Sequence, residues 1–133
     1  MNLRKVLIIS PYFPPSNAAD MQRVRMSLPY LSEFGWEAEI VTVAAEYSEL
    51  PKDELLLKSI PSWIRIHKVK ALEKRWTSKM GIGSLGFRSL LAYRKGVSKL
   101  LEQNNYDLIF FSTTQFPICA LGPFWKKKFN VPY

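Results

Sequence analysis

Apolar residues cluster along the chain in short runs of two kinds. KVLIIS (5–10) and DLIFFS (107–112) are almost continuously apolar, the pattern of strands covered on both faces. AEIVTV (38–43) is rich in β-branched residues and reads as another strand. IRIHKV (64–69) instead alternates apolar with charged residues, which predicts a strand at a sheet edge with one solvated side. Between the first two strands, Met21, Val24, Leu28, Leu31 and Phe34 recur at spacings of three and four. That spacing predicts a helix, with Asp20 as its N-cap and Gly35 as its stop. Pro29 lies inside it and predicts a kink, because it lacks a backbone donor and crowds the preceding turn. A further helix is predicted from about Gly86 to Gln103, with Leu90, Tyr93, Val97 and Leu101 among its apolar positions, and another from Pro117 to about Phe129. Residues 44–62 are polar, contain Pro51 and Pro61, and read as a long loop with one or two helical turns in DELLLKS. GIGSLG (81–86) holds three glycines and reads as mobile.

Strand–helix alternation of this kind implies an α/β fold: a Rossmann-like, doubly wound parallel sheet with helices on both faces and right-handed crossovers. The fourth strand is expected beside the first. A length of 133 residues suits a single domain. NVPY (130–133) reads as the entry to a fifth strand. The expectation is therefore an N-terminal domain, residues 1–133, truncated before a further strand and a second domain.

An apolar content of 47% with 23% charged residues argues against disorder. Cys119 is the single cysteine, so no internal disulfide can form. No apolar run approaches the ~18 residues of a spanning helix, and the five-residue run near the start is shorter than the ~7–15 a secretory signal needs. The expected location is cytoplasmic. The net charge of +8 is concentrated in one segment. Residues 65–99 hold ten basic residues and one acid, a charge of +9, whereas the rest of the chain sums to −1. Lys74, Arg75, Trp76, Lys79, Phe87 and Arg88 interleave positive charge with aromatic rings there. Two readings stand for this segment: a solvated helix face with ordinary core aromatics, or a surface that docks on an anionic membrane, on its inner face. No nucleic-acid recognition motif accompanies the charge, and no nucleic-acid partner is expected.

Ligands of open parallel sheets bind outside the carboxyl ends of the strands, near the topological switch point. Two loops meet that condition: SPYFPPSNAAD (10–20) and STTQFP (112–117). Their polar residues, Ser16, Asn17, Asp20, Ser112, Thr113, Thr114 and Gln115, together with Arg23 on the first turn of the following helix, are the candidate substrate-binding set. The same residues also fit solvated turns and helix caps. The loops carry neither GxGxxG nor GxxxxGK[ST], and no acidic residue ends the second strand, so neither a dinucleotide fingerprint nor a P-loop is supported. His67 is the only histidine and reads as packed or surface-lying; Cys119 reads as a small core residue. No metal-ligand spacing and no catalytic pair emerges.

The block KVLIISPYFPPSNAADMQRVRMSLPYLSEFGWEAEIVTV resembles the opening of glycosyltransferase family 4 enzymes, which have the two-domain GT-B fold. YDLIFFSTTQFPICALGPFWKKKFNVPY is similar to the fourth strand and following helix of the same domain. The resemblance implies an acceptor-side domain of a retaining enzyme that moves a sugar from a nucleotide-sugar to a glycan or lipid-linked acceptor. It implies no required metal and no cofactor beyond the nucleotide-sugar substrate. It assigns the nucleotide and a pair of glutamates to a C-terminal domain, so these residues alone should not turn over. Two departures stand out. Asn17, Ala18 and Ala19 occupy the region where many relatives carry glycines, and Ser112–Gln115 occupy the region where many carry a histidine. A hydroxyl or an amide can hydrogen-bond a sugar but cannot serve as a general base at neutral pH. The contrasting expectation is a non-catalytic Rossmann-like domain that binds a membrane or protein partner through residues 65–99.

Overall fold

The computed structural model describes residues 2–133. Strand β1 (Arg4–Ile9) leads through the long opening loop into helix α1 (Gln22–Ser27), and β2 (Trp36–Val43) follows. After a loop come β3 (Arg65–Val69), the short helix α2 (Lys74–Thr77), the long helix α3 (Leu85–Gln103), β4 (Leu108–Phe111) and α4 (Leu121–Phe129). All strand pairs are parallel, in the order β3-β2-β1-β4. This is the doubly wound, Rossmann-like sheet that the strand–helix alternation predicts. β4 lies beside β1, and the alternating strand β3 forms the opposite edge.

Period-2 geometry divides the apolar strands between two cores. Leu7, Ile9, Val41, Val43, Val69 and Ile109 face α3 and α4 and pack with Tyr93, Val97 and Trp125. Val6, Ile8, Ala38 and Ile40 face α1 and pack with Met21, Val24 and Leu28. Tyr93 reaches from α3 to the sheet, its hydroxyl donating to the Val41 carbonyl at 3.0 Å. On the α1 side, Val6, Ile8, Val24, Trp36, Leu108 and Phe110 line an apolar groove of about 210 Å³, because α1 is too short to cover β4.

Three expectations change in detail. The helix predicted over 21–34 does not kink at Pro29; α1 ends at Ser27, and Leu28–Phe34 continues as a tighter 3₁₀ helix with the proline at its start, where no donor is required. Gly35 closes that turn at φ 80°, a conformation that a residue with a Cβ avoids. Asp20 does not cap α1: the N-cap is Met21, which makes no side-chain bond, and the Asp20 carboxylate points elsewhere. NVPY forms no regular strand, although the Pro132 carbonyl accepts a bond from the Ile109 amide at 2.8 Å and runs the segment along the free edge of β4.

Candidate functional site

The loops at the carboxyl ends of β1 and β4 meet. Asp20 Oδ2 accepts from both the amide and the hydroxyl of Thr114, at 3.1 Å each, joining residues 94 positions apart. Its other oxygen, Oδ1, is buried and has no donor on it among the described residues. Within the second loop, the Gln115 amide donates to Thr113 Oγ1 at 2.7 Å. Gln115 Oε1 accepts from the Gly86 amide at 2.9 Å, tying the loop to the first turn of α3. Gly86 permits that approach: a Cβ there would stand 3.2 Å from Gln115 Cβ and 3.3 Å from Pro117 Cδ.

The opening loop is held from outside. Thr42 Oγ1 and the Val43 amide both donate to the Pro11 carbonyl. Residues 15–17 run against residues 51–53, with the Asn17 amide donating to Pro51 O and the Asp53 amide to Pro15 O, both at 2.8 Å. The two prolines supply acceptors where they have no donor to offer. No residue of 10–20 has positive φ, so Ala18 and Ala19 sit there without strain and the loop's path requires no glycine.

The predicted residues are therefore brought together unequally. Asp20, Thr113, Thr114 and Gln115 form one hydrogen-bonded group, with Ser112 anchored beside it by its amide to Ile9 O. Ser16 is 2% exposed and buried in the seam with residues 51–53. Asn17 is exposed and accepts from Gln22 Nε2 at 3.2 Å, while Arg23 stands exposed on α1. Sequence reasoning missed Tyr12, Glu49 and Ser84, which with Gln115 and Arg88 line a pocket of about 190 Å³ at these loops. Ser84 is the N-cap of α3, accepting from the Phe87 amide, and its place before a helical pattern is the signal that could have found it. Burial, aided by the charge of Asp20, pushes the Tyr12 phenol above its ordinary value, so it remains a neutral donor at physiological pH.

Arg88 was expected among the membrane-facing residues; it is 7% exposed and turned inward, where its guanidinium donates to the Leu72 and Tyr47 carbonyls at 3.0 and 3.1 Å. Lys74, Arg75, Trp76, Lys79 and Phe87 are exposed. Lys74 pairs with Glu49 at 2.7 Å and Arg75 with Glu73 at 2.6 Å. Trp76 and Met80 are 69% and 70% exposed beside them. A groove of about 600 Å³ between α3 and α4 is lined by Arg94, Lys95, Lys99 and Lys128, with Glu102 paired to Lys128 at 3.6 Å. No helix of the described residues is long and apolar enough to cross a membrane.

His67 has a partner that the sequence did not reveal. Its Nε2 lies 2.7 Å from Glu39 Oε2, and because the ionised carboxylate can only accept, Nε2 carries the proton of that bond. The Tyr106 hydroxyl donates to the same oxygen at 2.8 Å, and Arg65 lies 3.7 Å from Oε1. Burial pushes the Glu39 carboxyl upward, but the hydrogen bonds from His67 and Tyr106 outweigh it and hold the group below the ordinary glutamate value. Burial and the Glu39 carboxylate push the Tyr106 phenol well above its ordinary range. This group lies toward the amino ends of β3 and β4, away from the loops at the carboxyl ends, and ties β2 and β3 to the segment before β4. The Cys119 thiol is raised by burial and stays protonated, which does not suit a nucleophile. Among the described residues, no group of three His, Cys, Asp or Glu side chains is placed to hold a metal ion.

A four-stranded parallel sheet with helices on both faces and its polar loops gathered at the strand ends defines a Rossmann-like α/β domain. No protein-family model and no curated protein matches the sequence. Among solved structures the chain is similar to Phytolacca americana UGT2, complexed with UDP-2fluoro-glucose and pterostilbene, with a TM-score of 0.63. Identity is 15%, and the match covers 99% of this chain and 30% of that one. The likeness is one of fold: this chain has the Rossmann-like architecture of about 30% of that structure.

Proposed function

We propose that this chain is the acceptor-side domain of a retaining glycosyltransferase of the family 4 type, moving a sugar from a nucleotide-sugar to a glycan or lipid-linked acceptor. The observation that carries the reading is the joined pair of loops at the carboxyl ends of β1 and β4, where Asp20 bonds to Thr114. Ser112, Thr113, Thr114 and Gln115 gather hydroxyls and an amide there, the groups that recognise sugar hydroxyls. The fold likeness to a glycosyltransferase supports the same reading. In it, a C-terminal domain binds the nucleotide and completes the cleft, no metal or cofactor takes part, and residues 1–133 alone do not turn over.

The test is a transfer assay on the complete gene product with a panel of labelled nucleotide-sugars and lipid-linked glycan acceptors, the product anomer being read by NMR. Transfer with retention supports the proposal. An inverted anomer removes its stereochemical part, and the absence of transfer from every donor overturns it.

A second reading, docking on the inner face of an anionic membrane, rests on one observation. Trp76, Met80 and Phe87 are exposed beside Lys79 and Arg75, an aromatic and basic surface of the kind that partitions to charged lipid interfaces. It is compatible with an enzyme that meets a lipid-linked acceptor, and equally with a non-catalytic interaction domain of cytoplasmic location.

A further inference from the structure

We propose that the pocket at the N-terminus of α3, lined by Tyr12, Glu49, Ser84, Leu85, Arg88 and Gln115, binds a compact anionic group, a phosphate or a carboxylate, with Arg88 as its counter-charge. Arg88 is a buried cation with no carboxylate bonded to it. Each terminal nitrogen gives one of its two hydrogens to a neutral carbonyl, its Nε is buried with no partner, and no carboxylate lies within ion-pair distance of it among the described residues. The one acid lining the pocket, Glu49, is already paired with Lys74 at 2.7 Å. A buried charge left uncompensated is costly, and a fold that needed only to tie the Leu72 and Tyr47 carbonyls together would not require one.

The surroundings favour the same sign of ligand. α3 is 19 residues long, so the positive end of a full helix dipole opens on this pocket. Of its first-turn amides, Gly86 is held by the Gln115 side chain at 2.9 Å, and Phe87 by a longer bond to Ser84 Oγ at 3.3 Å. A volume of about 190 Å³ falls below the ~300–1,000 Å³ of pockets that enclose a whole drug-sized ligand, so the site fits one anionic group rather than an entire nucleotide. The inference is separate from glycosyl transfer, because anion binding is read on this chain with no sugar donor present.

The experiment is an amide NMR titration of the ¹⁵N-labelled protein with sodium phosphate, with acetate, and with sodium chloride at matched ionic strength. Phosphate or acetate is expected to give saturable shifts at Gly83, Ser84, Leu85, Gly86 and Gln115 that chloride does not reproduce. A response to phosphate alone assigns a phosphoryl ligand, and one to acetate alone a carboxylate. Arg88→Gln is expected to weaken binding about tenfold or more. Glu49→Gln, an exposed position whose loss leaves the core intact, is expected to tighten it about threefold by removing the opposing acid. Should Arg88→Gln fail to fold, the Glu49→Gln affinity decides. No saturable shift at these amides, shifts confined to Lys126–Lys128, or an affinity unchanged in the variants would overturn the proposal.

Discussion

The carboxylate of Asp20 spans the gap between the first and last loops of the sheet, receiving both the amide and the hydroxyl of Thr114 at 3.1 Å. One side chain thereby fixes the relative position of two segments that lie 94 residues apart in sequence. Gln115 extends the link to α3, so three elements share a single hydrogen-bonded corner. The corner lies where an open parallel sheet binds its ligands.

Replacing Asp20 with alanine should loosen this corner and leave both cores intact. Two bonds to a charged acceptor are lost, but the site is partly solvated, so the cost should be about 1 kcal/mol. Hydrogen exchange checks it: the Thr114 amide loses protection, while amides of β1 and β2 keep theirs. Uniform loss of protection through the sheet would show that Asp20 supports the fold rather than the loop.

Glu39 should make stability sensitive to acid. Its carboxyl is held below the ordinary value in the folded protein, so its contribution is complete above the unfolded value, near pH ~4.3, and is lost as pH falls through the lowered one. Glu39→Gln keeps the shape but leaves His67 and Tyr106 facing an uncharged amide, at a cost of about 2 kcal/mol at pH 7. Denaturant unfolding of both proteins across pH checks this: the gap between them should narrow steadily below pH ~4. A gap that persists unchanged in acid would mean that the carboxylate charge is not what stabilises the folded protein.

Vesicle co-sedimentation separates the two readings of the basic segment. Binding to anionic vesicles and not to neutral ones, weakened by salt, is the expected result for a docking surface. Lys79→Glu and Trp76→Ala should each reduce it by roughly fivefold, and because both residues are exposed, neither should lower the melting temperature appreciably. Equal, negligible binding to both vesicle types would leave a solvated face.

Taken alone, the chain of residues determined the architecture. The continuous apolar run at 5–10 is covered on both faces as expected, the alternation at 64–69 requires an edge, and helical spacing between strands requires crossovers, which together leave a parallel sheet. The run at 107–112 departs from expectation, since β4 is the other edge and leaves Phe110 44% exposed where α1 does not reach. The location of the candidate site was legible for the same reason, since topology places the loops after β1 and β4 side by side. Individual side-chain roles were not legible. Asp20 has the residue type and position of a helix cap, and only the approach of Thr114 across the sheet turned it away from α1. Arg88 is one basic residue among ten in its segment, and nothing local marks it as the one that faces inward toward the Leu72 and Tyr47 carbonyls. Glu39 and His67 lie 28 positions apart on different strands, and their contact exists only because parallel pairing sets β3 beside β2. Period and spacing are properties of neighbouring residues and survive in sequence. Hydrogen bonds between distant loops, and the burial of a particular charge, depend on how the elements dock, and these the tertiary structure decided.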